Sequence, residues 1–261
     1  MKRSRNRPAR RCRLLAAALM LLGGGLPATA AEAEPCAAPA ELVRLQSQLP
    51  RTALRLTQHS ALHIVALGSS STAGTGASAP DRTYPAQLAS ELHRRLPADP
   101  IEIVNKGVGG ETAIEMLARF DRDVFAIRPD LVIWQVGTNA VLRNDDLERD
   151  LALVRDGVHR LKAAGIDVIL MDMQYAPRVL EHSAYSVVET GLSKIAKEEG
   201  VAVFRRFEIM QHWVQAKQLD FATMLSPDQL HLNDTSYGCV GRLLARAIVQ
   251  RTSAPVLTSR R

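Results

Sequence analysis

Each short apolar run of this chain ends in a cluster of small or polar residues, and that pattern restricts the fold more than any other feature. Ile64-Val65-Ala66-Leu67 passes directly into Gly68-Ser69-Ser70-Ser71-Thr72-Ala73-Gly74. Ile101-Glu102-Ile103-Val104 leads into Asn105-Lys106-Gly107-Val108-Gly109-Gly110, and Leu131-Val132-Ile133-Trp134-Gln135-Val136 into Gly137-Thr138-Asn139. Two further runs span 166–171 and 201–204. Helical patterns lie between them. The clearest runs from about Asp146 to Ala164, where Leu147, Leu151, Val154, Val158 and Leu161 step by four, three, four and three and so line one buried face. Gly165 then ends it. Other helices are expected from Pro85, from Glu111 to about Phe125, from about Ser186 to Glu199 and from Thr235 to about Gln250. Strand–helix alternation of this kind predicts an α/β fold, a three-layer α/β/α doubly wound sandwich on a mostly parallel five-stranded sheet.

If the runs are parallel strands, Ser70, the glycine-rich turn and Asn139 emerge at one carboxyl edge, where open α/β sheets place their ligand sites. Ser70 falls at a strand-to-helix turn, whose outward N–H groups welcome an anion or an oxyanion. Asp228 and His231 are three residues apart, and on one helical turn that spacing lets the carboxylate hold the imidazole. Asn139 can offer an amide to a developing oxyanion, and Gly110 a backbone N–H unobstructed by a side chain. Taken alone, the serine-rich turn also suits a phosphate cradle of the flavodoxin-like kind.

Together these blocks resemble the SGNH (GDSL-type) hydrolases. Gly68-Ser69-Ser70 matches the first block, Gly110 within 105–112 the second, Gly137-Thr138-Asn139-Ala140 the third and Asp228-Gln229-Leu230-His231 the last. The resemblance covers roughly His63 to Ile248 and implies the flavodoxin-like SGNH hydrolase fold. It implies Ser70 as nucleophile, His231 as base, Asp228 as its acid, and an oxyanion hole from Ser70, Gly110 and Asn139. Ser69 and Ala140 depart from the family, which has aspartate at both positions. The α/β-hydrolase elbow Gly-x-Ser-x-Gly is absent, because Thr72 stands two residues after Ser70. The activity implied is hydrolysis of carboxylic esters. The alternatives are acyl transfer to envelope glycans, or a non-catalytic flavodoxin-like or carbohydrate-binding module. Gln174 and Tyr175, at the end of the fourth run, are expected to line the substrate pocket. His59 and His63 stand four apart without an accompanying carboxylate pattern, so no metal is expected, and the chemistry requires no cofactor.

Residues 1–30 read as a secretory signal peptide. Lys2, Arg3, Arg5, Arg7, Arg10, Arg11 and Arg13 form a basic head, Leu14 to Leu26 an apolar stretch, and Ala28-Thr29-Ala30 a cleavage site. Arg10-Arg11 leaves twin-arginine export open beside the general route. The formal charge of +6 belongs to this segment: the remainder holds 26 basic and 27 acidic residues, a net of −1. That balance gives no reason to invoke nucleic acid or an anionic membrane, and no later stretch reaches the ~20 apolar residues of a span. The mature chain is therefore expected in the periplasm or outside the cell, with a small-molecule, glycan or lipid ester as its partner. Residues 31–60 read as a lead-in with short helices, 61–252 as the hydrolase domain and 253–261 as a tail. Cys36 and Cys239 are the two mature thiols, and an oxidising compartment leaves open a bridge between them.

Overall fold

The computed structural model describes residues 36–253. The expected signal peptide and most of the tail lie outside the described residues. Five parallel strands form the sheet: β1 (Leu62–Gly68), β2 (Ile101–Gly107), β3 (Leu131–Gln135), β4 (Asp167–Met171) and β5 (Ala202–Phe204), in the order β2-β1-β3-β4-β5. The chain moves outward from β1 to β2, then returns to the other side of β1 for β3. The crevice of such a sheet opens at that reversal, outside the carboxyl ends of β1 and β3. Every residue of β3 is buried, as expected of a central strand covered on both faces.

Helices α1 (Ala40–Val43) and α2 (Pro50–Thr57) precede the sheet, and α3 (Ser70–Ala73) and α4 (Tyr84–Arg95) follow β1. After β2 come α5 (Ala113–Ala118) and, after β3, α6 (Thr138–Arg143) and α7 (Leu147–Ala163). Helices α8 (Pro177–Leu180) and α9 (Tyr185–Glu199) follow β4. The chain closes with α10 (Arg206–Gln215), α11 (Phe221–Met224) and α12 (Asp234–Ser253). Helices α4 and α12 pack on each other over one face, and α5, α7 and α9 succeed one another over the other. Val154, Val158 and Leu161 of the α7 stripe are buried and Leu147 and Leu151, nearer its start, partly so, with the Asp146 side chain capping the helix by accepting from the Arg149 N–H at 3.0 Å.

The single helix expected over 111–125 is broken. α5 stops at Ala118, and Asp121–Phe125 forms one wide turn. Arg119, between them, turns inward to bond the Gly68 carbonyl at 3.2 Å, while Phe120 packs edge-on against Trp134 at 5.1 Å. Cys36 and Cys239 are joined by a disulfide that ties the start of the described chain to α12. The segment before β1 is bound to the sheet's amino edge. Arg51 and Arg55 reach Asp130 at 2.7 and 2.9 Å, and the Thr52 N–H reaches Asp167 at 2.7 Å. Among the described residues no helix is long and apolar enough to cross a membrane.

Candidate active site

Ser70 is the first residue of α3, directly beyond β1. Its turn is fixed from below by Gln135, the buried last residue of β3, whose Oε1 accepts from both the N–H and the hydroxyl of Ser69 at 3.0 Å. Gln135 thus holds in place the turn that carries Ser70, a part that the sequence does not announce. Its one mark there is a lone polar side chain in an otherwise apolar run.

Ser70 Oγ lies 2.7 Å from His231 Nε2, and His231 Nδ1 lies 2.5 Å from Asp228 Oδ2. An ionised carboxylate only accepts, so Nδ1 carries the proton and Nε2 offers its lone pair to the serine hydroxyl. Burial alone would raise the Asp228 carboxyl. The bond from the His231 ring, aided by the N–H groups of His231 and Leu230 and the Ser226 hydroxyl, outweighs it and holds that carboxyl well below the usual range. The arrangement provides a hydroxyl, an imidazole nitrogen within reach of its proton, and a fixed negative charge behind the ring.

The local backbone differs from expectation. Asp228 to His231 form a turn and not a helical turn, with Gln229 at φ 56°. Asp228 itself closes the turn. Its Oδ1 accepts from the Leu230 and His231 N–H groups at 3.0 Å each and from the Ser226 hydroxyl at 2.7 Å. A short acidic side chain offers such a backbone an alternative to helix. One carboxylate thus shapes the loop with one oxygen and orients the ring with the other.

The second loop comes close to the nucleophile: a Cβ placed on Gly109 would lie 3.9 Å from Ser70 Cβ. Gly110 adopts φ 84°, a left-handed conformation that favours glycine. Among the described residues neither its N–H nor that of Ser70 has a backbone acceptor. Asn139, on α6, donates from Nδ2 to the Glu111 carbonyl at 2.8 Å, which fixes the amide plane and leaves a second N–H for a ligand. Arg119 clamps the two loops, bonding the Gly68 carbonyl at 3.2 Å and the Glu111 carboxylate at 2.7 Å. The structure therefore brings Ser70, Gly110, Asn139, Asp228 and His231 to one edge of the sheet.

The two expected substrate contacts part company. Tyr175 is half-buried, stacked on Phe221 at 5.5 Å between ring centroids and edge-on to Phe207 at 5.2 Å. Gln174 does not open to the rim: it is 1% exposed, and its amide is engaged with Thr138, Arg206 and the Leu230 carbonyl. A buried amide needs such partners, and here the protein supplies three. His59 and His63 face different carboxylates, Asp99 at 2.9 Å and Glu102 at 3.2 Å.

The family model of the Non-GDSL lipase-like family matches residues 35–254. The chain belongs to that family. The label agrees with the first block, which has Ser69 where a GDSL motif has aspartate. An acetylxylan esterase of Geobacillus stearothermophilus is 38% identical over 80 residues, a stretch covering 31% of this chain and 33% of that relative. The fold is shared with a two-domain esterase described as active on acetylated mannans, at TM-score 0.67 and 20% identity over 81% of this chain. The match takes in 56% of that longer protein, so this chain spans about half its length. The Geobacillus stearothermophilus acetylxylan esterase structure superposes at TM-score 0.58 and 23% identity, covering 76% of this chain and 97% of its own.

Proposed function

We propose that this protein is an exported serine esterase of SGNH type that removes acyl groups, acetyl first among them, from a glycan. The observation that carries the reading is the unbroken line from Ser70 Oγ through His231 to Asp228, at 2.7 and 2.5 Å. His231 takes the Ser70 proton as the serine oxygen attacks the ester carbonyl. The resulting oxyanion is held by the N–H groups of Ser70 and Gly110 and the free amide N–H of Asn139. The carbonyl re-forms and the C–O bond to the sugar breaks, with the His231 proton passing to the leaving hydroxyl. Water, deprotonated by His231, then releases the acid and restores Ser70. No step calls on a metal or cofactor.

The glycan part of the reading draws support from the fold neighbours, described as esterases of acetylated mannans and acetylxylan. A second support lies in the chain itself, which is only 4% aromatic. Tyr175, in the segment after β4, and Tyr185, which opens α9, nonetheless pack on Phe207, and Phe221, which opens α11, stacks on Tyr175, all three half-buried. Such rings suit the apolar face of a sugar, and Tyr175 is assigned that contact. Export draws support from the basic and apolar N-terminal sequence and from the Cys36–Cys239 disulfide, a bond that persists in oxidising compartments.

The test compares purified wild type with Ser70→Ala on p-nitrophenyl esters from acetyl to dodecanoyl, and on acetylated xylan and mannan with acetate release as readout. The expected result is activity on acetyl esters and glycans, reduced on the order of a millionfold in the variant. More than a few per cent of activity left in Ser70→Ala, or a folded wild type inert on every ester, overturns the reading.

A further inference from the structure

We infer that Gln174 is a positioning residue that locks the His231 loop to the helix bearing Asn139; the inference rests on the esterase reading above. Gln174 follows β4 by three residues and is buried between the His231 loop and the start of α6. Its Oε1 accepts from the Thr138 hydroxyl at 3.0 Å and from Arg206 Nη2 at 2.9 Å, and its Nε2 donates to the Leu230 carbonyl at 3.3 Å. The orientation of the amide is dictated by chemistry. A guanidinium only donates, so the oxygen must face Arg206 and the NH₂ group must face Leu230.

Two features give these bonds a consequence for the chemistry. The Leu230 carbonyl and the His231 N–H belong to one peptide unit. Gln174 holds its oxygen, and Asp228 Oδ1 holds its nitrogen at 3.0 Å. The plane from which the His231 side chain departs is thus gripped at both ends. At the other side, Thr138 is the first residue of α6 and the neighbour of Asn139. Arg206 anchors the bridge. It is fully buried on α10, and the same Nη2 reaches the Asp172 carbonyl at 2.7 Å, at the exit of β4. One amide therefore sets the base and the oxyanion donor relative to each other without touching substrate. Reacting groups displaced by about 1 Å lose roughly 100-fold in rate, so this linkage belongs to the catalytic geometry.

The variants are Gln174→Leu, which removes all three bonds, Gln174→Glu, which keeps the acceptor for Thr138 and Arg206 and loses the donor to Leu230, and Thr138→Val. Each full-length protein is titrated with a fluorophosphonate to count competent serines. Then kcat and KM for p-nitrophenyl acetate are measured, with the far-downfield proton resonance of the Asp228–His231 hydrogen bond. The expected result is a fall of about 100-fold in kcat per titrated site for Gln174→Leu, KM within about twofold, and a shifted or broadened resonance. Gln174→Glu shares that fall, and Thr138→Val shows a lesser one. If Gln174→Leu does not fold, Gln174→Glu and Thr138→Val decide. A kcat within threefold of wild type in the folded Gln174 variants, with the resonance unmoved, overturns the inference. The resonance reads the geometry of His231 whether or not an ester is turned over. A moved resonance in an enzyme whose Ser70→Ala variant stays active would sink the esterase reading and leave the linkage standing.

Discussion

Gly76 backs onto His231. A Cβ at Gly76 would lie 2.4 Å from the Leu232 carbonyl oxygen, 3.1 Å from His231 Cβ and 3.2 Å from Ser226 Cβ, and the residue sits at φ 91°. The contact joins the loop after the nucleophile helix to the loop that bears the base. It is reinforced by the Tyr237 hydroxyl, which donates to the Thr75 carbonyl at 2.7 Å, and by the Ser78 N–H, which donates to Asp234 at 2.8 Å. Gly76→Ala is expected to push His231 away from Ser70. Strain of about 1–3 kcal/mol at a left-handed non-glycine residue should lower the melting temperature, and kcat should fall by roughly 10- to 100-fold. Thermal unfolding and steady-state kinetics on the same preparation check this. A variant with wild-type kcat would show that the loop yields without disturbing the base.

Asn139 provides a sharper test of the oxyanion assignment. One N–H of its amide is used on the Glu111 carbonyl at 2.8 Å, so the side chain serves structure and chemistry together. Asn139→Ala should reduce kcat by about 100- to 1000-fold while leaving the fold intact. Asn139→Asp preserves the shape, removes both donors and introduces repulsion toward an oxyanion, so it should be no better than alanine. Fluorophosphonate labelling at a slowed rate, with circular dichroism unchanged, is the expected pair of observations. A loss smaller than tenfold in Asn139→Ala would remove the amide from the oxyanion hole.

The ends of the apolar runs made the edge-of-sheet site legible, because a strand that stops in Gly-Ser or Gly-Thr-Asn must deliver those residues to the same rim. The three-residue spacing makes Asp228 and His231 partners, yet they meet across a turn and not on a helix. Spacing alone does not reveal that Asp228 folds its own turn through the Leu230 and His231 N–H groups. Gln174 was misplaced for a related reason. Its position after a strand suggested the rim, while its partners Arg206 and Leu230 lie 32 and 56 residues away and cannot be read from local pattern. The break after Ala118 likewise depends on where Arg119 and Phe120 go in space. Composition left the Cys36–Cys239 pairing open because 203 residues separate the two thiols.

That disulfide closes a very long loop and should stabilise the fold chiefly by restricting the unfolded chain. Cys36 lies beside the core, where its carbonyl accepts from the Trp213 indole N–H at 3.1 Å, and Cys239 is buried in α12. Cys239→Ala, or reduction by dithiothreitol, is expected to cost about 2–4 kcal/mol. At about 2–4 °C per kcal/mol for a domain of this size, the melting temperature should drop by roughly 5–15 °C. Neither cysteine takes part in the Ser70–His231–Asp228 hydrogen bonds, so kcat per titrated serine should stay near that of wild type at 25 °C. Differential scanning calorimetry with and without reductant measures the first effect. An unchanged melting temperature would mean that the bond adds nothing to stability.

Glu189 and Asp172 give the fold a pH dependence of their own. Burial raises both carboxyls, and the Asp172 charge beside Glu189 raises the latter further, so the pair retains a proton well above the ordinary carboxylate range. Arg206 opposes both shifts without cancelling them. In the unfolded chain each carboxyl ionises near pH ~4. Above that pH the folded state holds the extra proton, the unfolded state binds fewer, and the pair's contribution to stability must fall as pH rises. Glu189→Gln keeps a donor toward Asp172 and an acceptor, and cannot ionise. The variant's melting temperature relative to wild type should therefore become more favourable from pH 5 to pH 9, by several degrees at about 2–4 °C per kcal/mol. Asp172→Asn in the same series should show the same sign, because removing either charge ends the repulsion. Melting curves of variant and wild type that run parallel across this range would mean that the pair does not hold its proton in the folded state.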